Sequence, residues 1–249
     1  MFALDKPLGL TSLQALEALR ACDPALRDAR LGHAGRLDPM AEGLLTVLVG
    51  DETRLAPTMR ELDKTYELDA VFGVASDSFD SLGLVTAVAH GDVAEGALTR
   101  ACARWVGAVA QRVPPYSQAR VGGRSLLAWG SAGVAMERPT APRRIDAIEL
   151  VALAPIAGDA VVREAVRRTA LVRGAFRQDD IAARWEAHRE ALRGVTLTRA
   201  SLRVVCSAGT YMRSLAWDLG AELGVPALAW RIRRTHAGTL TLDGARRLG

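Results

Sequence analysis

An aspartate that precedes a proline, at the entrance to an apolar segment, is the group in this sequence best suited to nucleophilic chemistry. Asp38 lies within residues 32–43, whose three glycines and one proline predict neither a helix nor a strand. Residues 44–49 follow as an apolar run that is typical of a buried strand. Pro39 favours extended backbone angles at Asp38, so the carboxylate would be fixed at the end of that strand. Taken alone, Asp38 would fit an ordinary Gly-Asp-Pro surface turn better.

Further blocks of chemically useful residues accompany this aspartate. Residues 6–9 read Lys-Pro-Leu-Gly, residues 64–66 read Lys-Thr-Tyr, and residues 206–213 read Cys-Ser-Ala-Gly-Thr-Tyr-Met-Arg. Together with the segment around Asp38, these blocks resemble the TruB family, the tRNA pseudouridine synthases that act on a uridine of the T loop. They occur in the family's order and span roughly residues 4–240.

The resemblance implies a catalytic role for three residues. Asp38 stands in the Gly-x-Leu-Asp-Pro context of the family's nucleophilic aspartate, and Arg213 matches the arginine that pairs with it. Burial would favour the protonated form of such an aspartate, whereas a nearby guanidinium favours the carboxylate. Tyr66 matches the tyrosine that stacks on the target base, and its phenol could also serve in proton transfer at C5. A core tyrosine is the competing interpretation of Tyr66.

The same resemblance implies a set of substrate-binding residues. Tyr211 matches a second tyrosine of the pocket, Ile232 an apolar residue that touches the base, and His33 a histidine that fills the space left by flipped bases. Asp80 matches an acid at the edge of the pocket. Arg231 and Arg233 share one face of a predicted strand, for which a solvated sheet edge is the competing interpretation. The predicted phosphate contacts are Lys6, Arg231, Arg233, Arg234 and His236.

The chemistry implied by the resemblance is an isomerisation. The glycosidic C–N bond of a uridine breaks, the base rotates, and the base rejoins the ribose through C5. The target must first be flipped out of the folded RNA, which costs on the order of a few kcal/mol. No redox step, metal or nucleotide is required, so we expect neither a cofactor nor a metal site.

Composition places the chain among globular proteins of a reducing compartment. Of its 249 residues, 49% are hydrophobic and 24% are charged, and no apolar run reaches the length of a membrane span. The first residues lack the pattern of a secretory signal. Three widely spaced cysteines fit neither a disulfide framework nor a zinc site. We therefore expect a cytoplasmic protein that does not associate with membranes.

The charge of the chain is compatible with a polyanionic partner without requiring one. The formal net charge is +4, and only two of the 32 basic residues, Lys6 and Lys64, are lysines. Arginine forks pair with phosphates and stack on unpaired bases, which suits RNA. A GC-rich genome explains an arginine bias more simply. The clusters of arginine therefore matter more than their total.

The sequence pattern predicts an α+β fold with a mixed, mostly antiparallel central sheet flanked by helices and loops, the pseudouridine synthase fold. Predicted strands cover residues 1–6, 44–49, 65–73, 84–88, 145–153, 202–206, 226–232 and 239–242. Predicted helices cover residues 12–22, 98–109, 126–129 and 211–223, with a helix or irregular crossing at 51–62. Thr11 and Gln14 form a plausible capping box for the first helix.

We expect residues 1–249 to form a single catalytic domain. Residues 163–193 contain alternating arginines and acids with Trp185 among them, and they indicate one or two charged helices inserted into the family pattern. This segment would be either an RNA-facing arm or a solvated helical excursion. We expect the chain to lack the small C-terminal PUA domain that many family members carry.

The function that follows from the resemblance is tRNA pseudouridine(55) synthase, an isomerase that acts as a monomer on the T-arm of tRNA and requires no protein partner. One alternative is the same chemistry on another RNA. A second is a non-catalytic protein that binds and remodels tRNA, although binding alone would not need the pairing of Asp38 with Arg213. An aspartate-based hydrolase is the least favoured alternative, because no second carboxylate lies at a useful spacing from Asp38.

Overall fold

The computed structural model describes residues 1–89 and 92–248. The strands are β1 (Phe2–Lys6), β2 (Leu31–Ala34), β3 (Ala41–Val49), β4 (Lys64–Phe72), β5 (Val74–Ser76), β6 (Val85–Val88), β7 (Gly107–Arg112), β8 (Arg120–Val121), β9 (Arg124–Ser125), β10 (Thr140–Ala157), β11 (Thr196–Cys206), β12 (Ala227–Ala237), β13 (Leu240–Thr241) and β14 (Arg246–Arg247). The helices are α1 (Ser12–Cys22), α2 (Ala56–Arg60), α3 (Glu95–Arg104), α4 (Leu126–Ser131), α5 (Gly158–Leu171), α6 (Gln178–Ala187), α7 (Arg189–Leu192) and α8 (Met212–Leu223). Short 3-10 turns cover Pro24–Leu26 and Gly50–Leu55.

One large sheet organises the protein. Its strand order is β14-β1-β3-β12-β4-β11-β10-β7, with β2 added to β3 and β13 added to β12. Among the described strands of this sheet, β1 with β14 and β3 with β12 are parallel pairs, and the other pairs are antiparallel. The predicted α+β fold with a mixed, mostly antiparallel sheet is therefore confirmed.

The alternation of side chains along the central strands separates two hydrophobic clusters. Leu68 and Phe72 of β4 belong to the cluster that includes residues of α1, α3 and α8. Val71 belongs to the cluster that includes residues of α5 and α6. Successive side chains of a strand point to opposite faces, so the sheet carries one apolar layer on each side.

The charged segment at residues 163–193 forms part of the second layer. It contains most of α5 and all of α6 and α7, which confirms that the segment is helical. Ile181 and Trp185 of α6 are fully buried against the cluster that also holds Trp230 of β12. The charged residues lie outside, where Glu164 pairs with Arg167. These helices bury their apolar stripe and expose most of their charged side chains, as an amphipathic pattern allows.

Local patterns predicted some element boundaries correctly and several others wrongly. β3 begins at Ala41, inside a segment predicted to hold no strand, and β11 begins at Thr196 instead of residue 202. Thr11 and Gln14 form the expected capping box of α1. The helix predicted over residues 98–109 ends instead at Arg104, and Gly107 begins β7 with a φ of 106°. Such a φ lies in the left-handed region, which glycine adopts at no steric cost and which ends a right-handed helix. Within residues 1–89 and 92–248, no helix combines the length and apolar character needed to cross a membrane.

Candidate active site

Asp38 lies in the loop that joins β2 to β3, and the surrounding backbone holds this loop in place. Leu37 donates its N–H to the Ser12 hydroxyl at 2.9 Å, and that hydroxyl returns a bond to the Leu37 carbonyl at 3.2 Å. On the other side of the aspartate, Gly9 donates to the Pro39 carbonyl at 2.8 Å. The blocks at residues 6–9 and 32–43 therefore meet, and the first block fixes the position of the Asp38 carboxylate.

Arg213 carries the positive charge that faces this carboxylate. Its Nη2 lies 2.9 Å from Oδ2 of Asp38, and its Nε lies 3.7 Å from Oδ2 of Asp80. Nη1 donates to the carbonyls of Ser78 at 2.9 Å and Pro115 at 3.0 Å. The Arg213 side chain is 5% exposed, whereas that of Asp38 is 40% exposed. The guanidinium is therefore fixed on all sides, and the carboxylate presents one face to the cavity.

The pKa of Arg213 results from two opposing effects. Burial lowers the pKa of the guanidinium, but the neighbouring charges of Asp38 and Asp80 outweigh burial and raise it. A cation is therefore maintained beside Asp38 at every physiological pH. The position of Arg213 in the first turn of α8 adds the positive end of the helix dipole to the same region.

Asp80 is the second carboxylate on Arg213, and it is 7% exposed. Its Oδ1 accepts hydrogen bonds from the Ser78 hydroxyl at 2.6 Å and from the Leu82 N–H at 3.0 Å. Burial raises the pKa of Asp80 to about 6, although Arg213 and these hydrogen bonds oppose the rise. Asp80 lies behind the arginine, at the wall of a second cavity of about 250 Å³ that also contacts Asp38.

A cavity of about 410 Å³ opens beside the Asp38 carboxylate. It brings together most of the residues selected from the sequence, and its lining includes His33, Asp38, Tyr66, Tyr211, Arg213, Ile232 and Arg234. A volume of this order suits a small organic group rather than a macromolecule. The cavity can therefore hold a single base that has been withdrawn from a larger substrate.

The two tyrosines of the cavity are held differently. Tyr66 is on β4, next to β12, and burial raises the pKa of its phenol, which stays protonated near neutral pH. Tyr211 immediately precedes α8, and the side chain of Gln111, on β7, holds its backbone. The Tyr211 N–H donates to Oε1 of Gln111 at 2.8 Å, and Nε2 of Gln111 donates to the Tyr211 carbonyl at 3.0 Å. Sequence reasoning missed Gln111, because only the tertiary fold brings residues 111 and 211 together.

His33 is on β2 and contributes an uncharged imidazole to the cavity. Burial lowers the pKa of His33, and the charges of Arg36, Arg60 and Arg234 lower it further. Its Nδ1 is buried and has no hydrogen-bond partner among the residues that the structure describes.

Two of the predicted phosphate contacts, Lys6 and Arg234, have buried side chains, and their phosphate roles stay predictions. Lys6 is 0% exposed, and its Nζ donates to the carbonyls of Pro7 at 2.8 Å and Leu10 at 2.7 Å. Burial lowers its pKa to about 8, although Asp38 and Glu42 oppose this shift. Arg234 is 1% exposed, and most of it lies below the cavity surface.

Arg234 supports the loop at residues 35–40 that carries Asp38, here called the Asp38 loop. Its Nε donates to the Leu44 carbonyl at 2.7 Å, and its Nη2 donates to the Gly35 carbonyl at 2.8 Å. The alternative of a solvated edge for Arg231 and Arg233 is wrong, because β12 lies between β3 and β4 inside the sheet. Arg231 pairs with Glu42 on β3, and Arg233 pairs with Asp5 on β1. The phosphate roles of Arg231, Arg233 and His236 stay predictions.

Lys64 is a cavity residue to which the sequence interpretation assigned no role. Its Nζ donates to the carbonyls of Arg60 and Leu62, and burial lowers its pKa to about 8. It directly precedes Thr65 and Tyr66, so its place in the Lys-x-Tyr block was the available indication. No cluster of three or more His, Cys, Asp or Glu side chains in residues 1–89 and 92–248 is arranged to hold a metal ion.

Comparison with known proteins identifies relatives along almost the whole chain. Residues 24–164 match the family described as TruB family pseudouridylate synthase (N terminal domain). The chain is 34% identical over 246 residues to the tRNA pseudouridine synthase B of Bordetella pertussis, covering 97% of this chain and 82% of that protein. It is 32% identical to the protein of the same name from Aromatoleum aromaticum, of which it spans 64%.

Solved structures share the fold. A chain in the crystal structure of a Cbf5-Nop10-Gar1 complex matches 99% of this chain with a TM-score of 0.62 and 22% identity. A chain in the archaeal box H/ACA sRNP Nop10-Cbf5 complex matches with a TM-score of 0.59. The present chain spans about half the length of each of these chains. From the family match and the extended similarity to the Bordetella pertussis protein, we conclude that this chain belongs to the TruB family of pseudouridylate synthases.

Proposed function

We propose that this protein is a tRNA pseudouridine synthase that converts the uridine at position 55, in the T loop, to pseudouridine. The observation that carries the proposal is the pairing of Asp38 with Arg213 at 2.9 Å on the wall of the cavity that also contains Tyr66. The names of the relatives support tRNA as the RNA. The two tyrosines and the apolar Ile232 give that cavity the character of a base pocket.

The chemistry requires a nucleophile, and Asp38 meets the requirement. Arg213 places a permanent cation against Oδ2, while 40% of the Asp38 side chain remains accessible. The C1′–N1 bond of the uridine breaks, the uracil turns, and a C1′–C5 bond forms. The C5 proton leaves and N1 gains a proton, so the product is an isomer of the substrate. Attack at the ribose, attack at the base and abstraction of a ribose proton all start from this carboxylate.

Tyr66 is assigned to base binding. Its burial keeps the phenol protonated, so the ring can stack on the flipped uracil while the hydroxyl donates a hydrogen bond. Stacking of this kind contributes about 1–3 kcal/mol per base, which offsets much of the few kcal/mol that base flipping costs. Tyr211 and Ile232 complete the pocket, and the neutral His33 occupies the space that the flipped base leaves.

The remaining features of the proposal concern the setting of the reaction. The conversion has no net redox change and no exchange of atoms with a second substrate, so we propose that it proceeds without a cofactor or metal. We further propose that the protein acts in the cytoplasm as a monomer on the T-arm of tRNA, without a protein partner. Sedimentation of the protein with and without T-arm RNA would test the last point.

The decisive experiment measures tritium release from T-arm RNA labelled with [5-³H]uridine. Wild type and Asp38→Asn are compared, with Asp51→Asn as the matched control because the Asp51 side chain is 92% exposed and distant from the cavity. We expect release by wild type and Asp51→Asn, and none by Asp38→Asn, which should still bind the RNA. Binding without release by wild type would favour a non-catalytic tRNA-binding protein. Release from other RNAs but not from the T-arm would point to a different substrate.

A further inference from the structure

Helix α8 presents a second functional side chain one turn beyond Arg213. Trp217 lies four residues further along the helix, and residues at this spacing share one face. The indole stacks on the ring of Phe79, with centroids 4.9 Å apart and planes inclined by 14°. One face of α8 therefore holds both the cation that pairs with Asp38 and an aromatic contact with the loop at residues 77–84.

Phe79 lies in the sequence between Ser78 and Asp80, and both of these residues contact Arg213. The Ser78 carbonyl accepts from Nη1, and the Asp80 carboxylate lies beside Nε. Phe79 itself has a φ of 66°, in the left-handed region that an aromatic residue rarely adopts. Such a conformation persists only where the surrounding structure enforces it. The stack on Trp217 and the hydrogen bond from the Ala229 N–H to the Phe79 carbonyl, at 2.9 Å, supply that enforcement.

Arg138 adds a third member from a different part of the chain. Its guanidinium carbon lies 4.8 Å from the centroid of the Phe79 ring and 5.6 Å from that of Trp217. Arg138 comes from the segment between α4 and β10, and its Nη1 donates to the Val113 carbonyl at 3.3 Å. Three segments that are distant in sequence thus converge at the stack of Phe79 on Trp217.

We propose that Phe79, Trp217 and Arg138, here called the aromatic clamp, are positioning residues that orient the Arg213 guanidinium toward Asp38. The inference rests on the proposed function, since it assigns a catalytic purpose to that orientation. The clamp fixes the loop so that the Ser78 carbonyl and the Asp80 carboxylate hold Nη1 and Nε. Nη2 is then directed at Asp38. Displacement of the loop would remove the contacts of Ser78 and Asp80 with Arg213 and leave only the Pro115 carbonyl to hold it. The guanidinium could then turn away from Asp38.

Packing by itself is the alternative explanation, and it predicts a different kinetic result. A purely structural contact would lower thermal stability while the folded fraction kept its catalytic rate. A positioning contact would lower the rate of the chemical step without changing RNA affinity, because none of the three side chains lines the cavity beside Asp38. Misplacement of a reacting group by about 1 Å is sufficient to lower a rate about 100-fold.

The test measures single-turnover tritium release and T-arm RNA affinity for paired variants. Phe79→Gly removes the ring but suits the left-handed φ, whereas Phe79→Tyr keeps the ring. Trp217→Leu and Trp217→Phe form a second pair, in which the aromatic ring is likewise removed or kept. This pair tests the inference even if Phe79→Gly does not fold. Arg138→Ala removes the guanidinium, with Arg246→Ala as the matched control. Arg246 likewise lies 4.0 Å from the centroid of an aromatic ring, that of Phe2, but on β14 at the edge of the sheet.

We expect Phe79→Gly and Trp217→Leu to lower the single-turnover rate about 10- to 100-fold, with RNA affinity within about threefold of wild type. Arg138→Ala should lower the rate less, and Phe79→Tyr, Trp217→Phe and Arg246→Ala should stay close to wild type. Wild-type rates in folded Phe79→Gly or Trp217→Leu would overturn the inference. That result would leave the proposed function intact as long as Asp38→Asn is inactive. Absence of release by wild type would instead refute the proposed function, and the inference with it.

Discussion

Replacement of Asp80 by asparagine should remove part of the pH dependence of folding stability. The pKa of Asp80 rises from 3.8 to about 6 in the folded protein, chiefly because burial disfavours the carboxylate. The folded state therefore holds this proton more tightly than the unfolded state does. The stabilisation from Asp80 is fully present below pH 3.8 and is lost as the pH rises through about 6.

The structure sets the size of this effect. One pH unit of difference between the two states corresponds to about 1.4 kcal/mol, so the gap between 3.8 and about 6 gives ~3 kcal/mol. Solvent screening reduces the figure little, because the Asp80 side chain is only 7% exposed. The pKa of Asp218 is also raised to about 6. Its contribution is the same in wild type and variant, and it cancels in their difference.

Urea unfolding between pH 3 and pH 8 measures the effect directly. The free energy of unfolding of wild type, relative to Asp80→Asn, should fall by ~3 kcal/mol across this range. The exposed control Asp51→Asn should follow the wild-type curve at every pH. Parallel curves for wild type and Asp80→Asn would refute the reasoning, because they would mean that the charge of Arg213 fully offsets the burial of Asp80.

Other substitutions test the supporting framework. Arg234→Met should lower the free energy of unfolding by about 3 kcal/mol, because the buried carbonyls of Gly35 and Leu44 lose their donors. Urea unfolding measures this loss, and a value below about 1 kcal/mol would contradict the supporting role of Arg234. Tyr66→Leu should weaken binding of T-arm RNA by about 1–3 kcal/mol, measured by fluorescence anisotropy, while the phenylalanine variant at the same site retains the stack and binds like wild type. Trp185→Ala should cost about 3–5 kcal/mol of stability in the same urea assay, since the indole is fully buried; an unchanged midpoint would mean that the α5–α7 layer is not part of the core.

The positions of Asp38 and Arg213 could be predicted from the residues next to them in the sequence. The residues around Asp38 placed it shortly before a strand, and the residues around Arg213 placed that arginine near the start of a helix. Both patterns depend on residues within a few positions of each other. The structure places the two side chains 2.9 Å apart, although 175 positions separate them in the sequence.

Burial and strand neighbours could not be predicted in the same way. Lys6 has the residue type of a phosphate contact, but its position at the end of β1 turns its ammonium group toward backbone carbonyls. Phe79 and Trp217 are unremarkable aromatic residues in the sequence, and only the packing of α8 against the loop brings their rings together. Such contacts depend on the tertiary arrangement of distant segments, which periodicity within one segment does not encode.

The position of β12 has a consequence for the order in which the protein matures during synthesis. β3 and β4 are formed from early parts of the chain, yet they are joined through β12, which contains residues 227–237. Long-range pairing of this kind slows folding, because distant segments must meet before their contacts stabilise them. Until β12 leaves the ribosome, the facing edges of β3 and β4 have no partner, and Arg234 is not present to hold the Gly35 carbonyl. A nascent chain of this protein therefore acquires the geometry of its Asp38 loop only after residues 227–237 have left the ribosome.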